Sequence, residues 1–143
     1  MKTKTIFNEF YNRLKTLEST SVITTVTKTG VDAITEGDYP AVEVVIGSDN
    51  REELDKLQYE HALAIYTDIH VTSLQKDIDE KMLDIRELVE DQIFASNNLG
   101  LAEVFNIKFI GQSEPSYNQP ATEYASMARL EWQVIFFTER EIK

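Results

Sequence analysis

The clearest hydrophobic pattern in the chain lies between residues 61 and 96, where the period of the apolar residues changes. Residues 61–71 alternate between apolar and polar or small side chains, which is typical of a β-strand with one buried face. Beyond them, the apolar residues recur every three or four positions, which predicts a long amphipathic helix. These helix positions are Leu74, Ile78, Met82, Ile85, Val89 and Ile93. The pattern therefore predicts a long strand that leads directly into a long helix.

Polar residues mark both ends of this predicted helix. Thr72 or Ser73 can cap the first turn, and Thr72 with Gln75 has the spacing of a capping box. A polar segment with a glycine, Asn97, Asn98 and Gly100, is typical of a helix stop.

The rest of the chain predicts a sheet that covers this strand–helix unit. An apolar stripe predicts a first helix at 3–17, and β-branched or alternating residues predict strands at 22–27, 41–47, 59–71, 104–110 and 122–138. In the strand at 104–110, Phe105, Ile107 and Phe109 are expected to face inward. Polar segments at 29–40 and 111–121 are predicted loops, and the charged segment 48–58 is either an exposed helical turn or a flexible hairpin tip.

These elements define an α+β fold. We expect a single domain over 1–143, with an antiparallel or mixed β-sheet packed against an N-terminal helix and one long central helix. The predicted core contains ten residues: Phe10, Leu63, Ile65, Ile78, Met82, Ile85, Val89, Phe109, Trp132 and Val134.

Composition narrows the classes of function. The formal net charge is −11, and no cluster of Lys and Arg occurs along the sequence. Both observations argue against a nucleic-acid-binding surface, which usually contains a basic stripe. The absence of cysteine excludes disulfides and thiolate metal sites. No apolar run approaches the ~20 residues that span a bilayer, and the N-terminus does not resemble a signal peptide. We therefore expect synthesis in the cytoplasm and no membrane partner.

Candidate catalytic residues do not converge. His61 and His70 lie on opposite faces of one predicted strand, so they cannot share a metal. Asp68 and His70 share a face and could form a metal or acid–base pair, although a solvated polar strand edge is the preferred interpretation. Asp77, Asp79 and Glu80 lack the glycine turn of a calcium loop, and a solvated helix face is preferred. The sequence thus predicts no catalytic, cofactor or metal site, and we expect that the protein is not an enzyme.

The order of these features resembles a known family. The residues that carry the resemblance are the amphipathic start at 6–17, YPAVEVVIG at 39–47, HALAIYTDIHVTS at 61–73, the long helix after it, and ARLEWQVIFF at 128–137. In this order they resemble the tail terminator proteins of long-tailed bacteriophages, also called tail completion or minor tail proteins. The resemblance spans nearly the whole chain as a pattern, without a single diagnostic motif.

The resemblance implies a structural role in the virion tail, at its neck end. Such proteins form a ring, expected to be a hexamer, that caps the tail tube, stops its polymerisation and presents the surface that joins the head. The implied partners are other copies of the chain, the tail tube protein and a head-side neck or connector protein, and DNA passes through the lumen without specific binding. Two alternatives remain open: another neck or head–tail connector protein, and a small cytoplasmic enzyme or ligand-binding domain.

The subunit contact of such a ring must use surfaces that are less acidic than the average. Subunits of charge −11 repel each other, so assembly is expected to depend on ionic strength. The best candidates lie in the second loop and the segment after it, where aromatic and amide side chains replace charges. These interface candidates are Ser113, Tyr117, Asn118, Gln119 and Tyr124.

Overall fold

Two long antiparallel strands form the centre of the sheet. The computed structural model describes residues 2–20, 22–28, 40–55, 57–73, 77–96, 98–118 and 124–139. Within them, β3 (Gln58–Ser73) pairs with β6 (Tyr124–Glu139) along the full length of both strands. Their inward parity carries the apolar residues that the alternating pattern predicts, which explains why these segments are extended.

The other strands add to both sides of this pair. On one side, β2 (Ala41–Asp55) is antiparallel to β3, and β1 (Thr25–Lys28) is parallel to β2. On the other side, β4 (Val104–Gln112) and the short β5 (Ser116–Asn118) pair with β6. The strand order is β1-β2-β3-β6-β4, with β5 also beside β6, so the predicted antiparallel or mixed sheet is confirmed as mixed.

Two helices cover one face of the sheet. The N-terminal helix α1 (Lys2–Lys15) continues into a 3-10 turn at Thr16–Ser19, and the central helix α2 (Ile78–Ile93) packs on β3 and β6. Nine of the ten predicted core residues are buried, and Phe109 is half-buried against the same core. The α+β prediction is therefore confirmed.

Trp132 of β6 lies at the centre of this core. Its side chain is fully buried, and its ring centroid lies 5.8 Å from that of Phe10, 5.4 Å from that of Phe94 and 5.0 Å from that of Phe109. The indole Nε1 donates to Thr67 Oγ1 at 3.1 Å, which satisfies the one polar atom of the ring. Because these neighbours belong to or adjoin both helices, β3 and β4, Trp132 connects both layers of the fold.

The start of α2 differs from the prediction, and its end agrees. Thr72 and Ser73 still belong to β3, and α2 begins at Ile78, so the proposed capping box is wrong. Strand pairing continues to Ser73 opposite Tyr124, and it holds these residues extended. Leu74, Gln75 and Asn97 lie outside the described residues. After the helix, Leu99 and Gly100 adopt positive φ, and the Gly100 amide donates to Asn98 Oδ1 at 2.9 Å.

In β4, the expected inward position of Phe105 is wrong. Its side chain is 67% exposed, whereas Ile107 is buried and Phe109 half-buried as predicted. The pairing with β6 shifts between Val104 and Asn106, and this bulge moves one residue out of the alternation. The Phe105 ring therefore packs on Phe137, on the face of the sheet opposite the helices, with centroids 5.7 Å apart.

The charged segment after residue 47 is neither a helical turn nor only a hairpin tip. β2 continues to Asp55 and β3 begins at Gln58, so the strands extend as a long hairpin. We call residues 48–55 and 57–60 the arm. Every side chain of residues 48–55 is exposed, and Asp55 closes the turn by accepting the Leu57 amide at 2.7 Å.

A bulge separates the arm from the covered part of β2. The register shifts between Ile46 and Asp49, and Gly47 lies within this shift. A Cβ at Gly47 would lie 2.7 Å from Tyr66 Cε2 and 2.9 Å from the Ala64 carbonyl oxygen, so a larger residue would separate the two strands.

The two predicted loops are only partly described. Residues 29–39 and 119–123 lie outside the described residues, while 111–118 are described. The second predicted loop is corrected in part, since it contains β5 at Ser116–Asn118 and its first two residues belong to β4. The first predicted strand is shorter than expected and begins at Thr25.

Candidate assembly surfaces

The segment from Ser113 to Asn118 is held against β6. The Ser113 amide donates to the Arg129 carbonyl, and Ser113 Oγ accepts the Arg129 amide, both at 2.9 Å. Ser116, Tyr117 and Asn118 then pair with β6 as β5. The strand pairing therefore fixes the backbone of this segment while Ser113 and Tyr117 keep exposed side chains.

Tyr117 connects this segment to α2. Its side chain is 59% exposed, and its hydroxyl donates to Asp79 Oδ1 at 2.6 Å. This hydrogen bond to a carboxylate raises the pKa of Tyr117. The structure thus places Ser113, Tyr117 and Asn118 on one backbone segment. Tyr124 is the first residue of β6, opposite Ser73 in the pairing, and Gln119 lies outside the described residues.

Beside Tyr117, α2 exposes a set of acidic side chains. Asp79, Glu80, Leu83 and Glu87 follow helical spacing along one side, and all are exposed. With Tyr117 they form what we call the acidic patch. Near it, Arg86 Nη1 donates to Gln112 Oε1 of β4 at 3.1 Å.

Another surface collects basic side chains along α1. Lys4, Asn8, Tyr11 and Lys15 recur at spacings of four, three and four, which aligns them on one side of the helix. Lys28 of β1 adds a third ammonium group, since its Nζ donates to Asn8 Oδ1 at 2.9 Å and lies 4.6 Å from the Tyr11 ring centroid. We call these five residues the basic patch.

Lys15 fixes the basic patch to the first edge of the sheet. Its Nζ donates to the Val26 carbonyl of β1 at 3.0 Å and forms an ion pair with Glu18. The hydrogen bond to Glu18 raises the pKa of Lys15, so this ammonium group stays charged near neutral pH. Sequence reasoning missed this patch because residues 4, 15 and 28 form no run along the chain.

Asp68 of β3, expected on a solvated polar edge, is buried instead. Only 4% of it is exposed, on the face of the sheet opposite the helices. Arg129 forms a bidentate ion pair with it, with Nε at 2.7 Å from Oδ1 and Nη2 at 2.9 Å from Oδ2. The Arg129 guanidinium also lies 4.5 Å from the Tyr66 ring centroid. Cross-strand pairing with Arg129 therefore replaces the expected solvent contact.

The two histidines lie on opposite faces of β3, as predicted. His61 is buried on the face that the helices cover, next to Asp49 and Thr138. His70 lies half-buried on the other face, and burial lowers its pKa.

A cleft of about 270 Å³ lies beside the Arg129–Asp68 pair. Tyr66, Arg129 and Glu131 of the two central strands line it together with residues 110–113. Both Asp68 oxygens accept hydrogen bonds from the guanidinium, so the contact of Arg129 with Asp68 is a structural ion pair between two strands of the sheet.

Two further observations concern only the part of the chain that the structure describes. No group of three or more His, Asp or Glu side chains there is arranged to hold a metal ion. None of the helices there is both long and apolar enough to cross a membrane.

The described residues define an α+β protein with a six-stranded mixed sheet and two helices on one face. No protein-family model matches the chain, and no curated protein matches it. Solved structures with a similar fold exist. A chain from the "Virion of native gene transfer agent (GTA) particle" superposes with a TM-score of 0.57 and 13% identity, over 93% of this chain and 95% of that one.

A second solved chain carries no description of its function. It superposes with a TM-score of 0.56 and 13% identity, over 97% of this chain and 99% of that one. At this identity, both similarities show a common fold.

Proposed function

We propose that this protein is a structural component of a phage-type virion and acts as a tail terminator. The observation that carries the proposal is the shared fold with a chain of a gene transfer agent virion, a phage-like particle, over nearly the whole length of both chains. The order of the elements from 6–17 to 128–137, which resembles tail terminators, supports the finer assignment.

In this role, the subunits form a ring, proposed to be a hexamer, at the neck end of the tail. The ring ends polymerisation of the tail tube protein on one side and offers a joining surface to a head-side neck or connector protein on the other. The chain's charge of −11 suits a lumen through which DNA passes without specific binding, because like charges keep the polyanion mobile. No catalytic step is required.

The proposed subunit contact includes the segment around Tyr117. Ser113, Tyr117, Asn118, Gln119 and Tyr124 remain its candidate residues. Tyr117 supports this choice because an exposed aromatic residue on a backbone fixed by strand pairing is preorganised for contact.

A neck or head–tail connector protein of the same kind of particle is the second candidate. The fold similarity to a virion chain favours it as much as a terminator, because it does not specify a position in the particle. Addition of the purified protein to polymerising tail tube protein separates the two roles. A terminator limits tube length and is found at tube ends, whereas a connector leaves tube length unchanged.

The first experiment is native mass spectrometry with negative-stain imaging of the purified protein. The proposal expects ring particles of six copies. The proposal would be contradicted by a protein that stays monomeric at all concentrations and does not limit the length of tail tubes.

A variant pair tests the loop surface. Tyr117→Ala removes the exposed ring and keeps the β5 backbone, and it is expected to weaken ring formation at unchanged thermal stability. Phe105→Ala is the matched control, since Phe105 is an aromatic residue of similar exposure on a different strand. Equal assembly of both variants and the wild type would remove Tyr117 from the interface.

A further inference from the structure

Charge is unevenly distributed along this acidic chain. The first 28 residues carry five basic and two acidic side chains, although the whole chain has 14 basic and 25 acidic residues. α1 and β1 thus form a positive region in a protein whose remainder is strongly negative. Such asymmetry provides complementary potentials when one copy approaches another.

The two patches lie at opposite edges of the sheet. Lys15 and Lys28 connect the basic patch to β1, the first strand in the sheet order. Tyr117 places the acidic patch beside β5, and Arg86 connects the same helix to β4, at the other end of the order. A head-to-tail ring joins opposite sides of identical subunits, so this placement matches the geometry of a cyclic assembly.

The acidic patch has carboxylates available for such a contact. Glu80 and Glu87 are exposed, and neither forms an ion pair with any residue that the structure describes. Leu83, 51% exposed, and the Tyr117 ring lie among these charges and provide apolar area. A contact that excludes water there would combine an apolar centre with a charged rim, which is the usual composition of interfaces.

We infer that the basic patch of one subunit binds the acidic patch of the next copy, head to tail, around the ring. This inference rests on the proposed ring and names both surfaces of its subunit contact. It explains how subunits of charge −11 can assemble, because each contact pairs a positive surface with a negative one. Salt acts on it in two ways: it screens the overall repulsion and weakens the local attraction.

Charge reversal at each patch tests the inference. Lys4→Glu with Lys15→Glu reverses two exposed residues of the basic patch, and Glu80→Lys with Glu87→Lys reverses two of the acidic patch. Each double variant is expected to assemble on the order of tenfold more weakly than the wild type, because like charges then meet. Circular dichroism and thermal melting verify that each variant folds.

Mixing the two double variants provides the decisive measurement. In an equimolar mixture, the Glu80→Lys, Glu87→Lys chain offers lysines to the new glutamates of the other chain, while both native patches remain paired. Alternating rings are therefore expected, and native mass spectrometry identifies them by mass. One chain carrying all four substitutions is also expected to assemble alone.

Two matched controls separate patch pairing from net charge. Glu52→Lys with Glu139→Lys gives the same increase in charge in the arm region, and Arg51→Glu with Lys108→Glu gives the same decrease at residues that belong to neither patch. Both controls should form rings like the wild type. Controls that fail as the patch variants do would show that net charge governs assembly and would overturn the inference.

The remaining outcomes are also distinct. A wild-type protein that forms no rings contradicts the proposed function itself. If the wild type and both patch variants form rings equally well, the inference is wrong but the proposed function stands. The same holds if each folded double variant fails to assemble and their mixture also forms no rings.

Discussion

The same two strands, β3 and β6, pass through two regions that are stabilised differently. In the covered region, their inward side chains pack beneath α1 and α2, and Leu63, Ile65 and Trp132 are fully buried. In the arm, β3 pairs with β2 and β6, and residues 48–55 are all exposed. In this fold, strand pairing therefore continues well beyond the residues that the apolar core buries.

His61 marks the boundary between the two regions. It is 5% exposed, and its ring stacks on Phe136 with centroids 4.4 Å apart. Nδ1 lies 3.0 Å from Asp49 Oδ1, and Nε2 lies 2.7 Å from Thr138 Oγ1. This histidine therefore connects β2, β3 and β6 where the apolar core ends.

The largest expected difference concerns the helix that covers the sheet. Ile85→Ala should lower the free energy of unfolding by about 2–5 kcal/mol, because it leaves a cavity under α2. Leu83→Ala, on the exposed side of the same helix, should change it by less than about 0.5 kcal/mol. Urea denaturation of both variants measures the difference. Similar losses would mean that the buried side of α2 is assigned wrongly.

A smaller difference is expected at the boundary. His61→Ala removes the stacking on Phe136 and the contacts with Asp49 and Thr138, and it should cost about 1–3 kcal/mol. Arg51→Ala in the arm loses a contact with the Tyr59 ring at 5.6 Å and should cost less than about 0.5 kcal/mol. Chemical denaturation measures both values, and hydrogen exchange shows whether the arm opens separately. A larger loss for Arg51→Ala would mean that the arm stabilises the domain.

The smallest expected effect is a pH dependence of stability that comes from His70. Burial lowers the pKa of His70, so around the ordinary value of 6.5 the unfolded chain binds more protons than the folded one. Stability should therefore fall as pH decreases through 6.5 towards the lowered value and be fully present above 6.5. His70→Gln should flatten this dependence between pH 5 and 7 in urea titrations. An unchanged slope would show that other groups produce it.

The sequence predicts the covered region better than the arm, for a physical reason. Inward residues such as Leu63, Ile85 and Trp132 have periodic spacing because a single buried face selects them. No buried face selects Glu52 or Asp55, so the charged segment provides no strand signal, and only pairing with β3 makes it extended. The bulge at Phe105 is likewise set by pairing with β6, which local alternation does not encode.

The candidate assembly surfaces show the same limit. The aromatic and amide composition indicated the segment around Tyr117. The composition could not indicate the hydrogen bond between Tyr117 and Asp79, because these residues are far apart in sequence. Lys15 and Lys28 meet around Tyr11 only because α1 packs beside β1. Asp68 pairs with Arg129 across the two central strands. The burial of Asp68 therefore depends on a partner that no local sequence pattern identifies.

The central position of β6 has a consequence for biosynthesis. β6 lies between β3 and β4 in the sheet but follows both in the sequence, so neither can complete its pairing until β6 has left the ribosome. At about 5–20 residues per second, the nascent chain spends several seconds with the backbone hydrogen-bonding edges of β3 and β4 unpaired. The sheet is therefore completed only as a late event of synthesis.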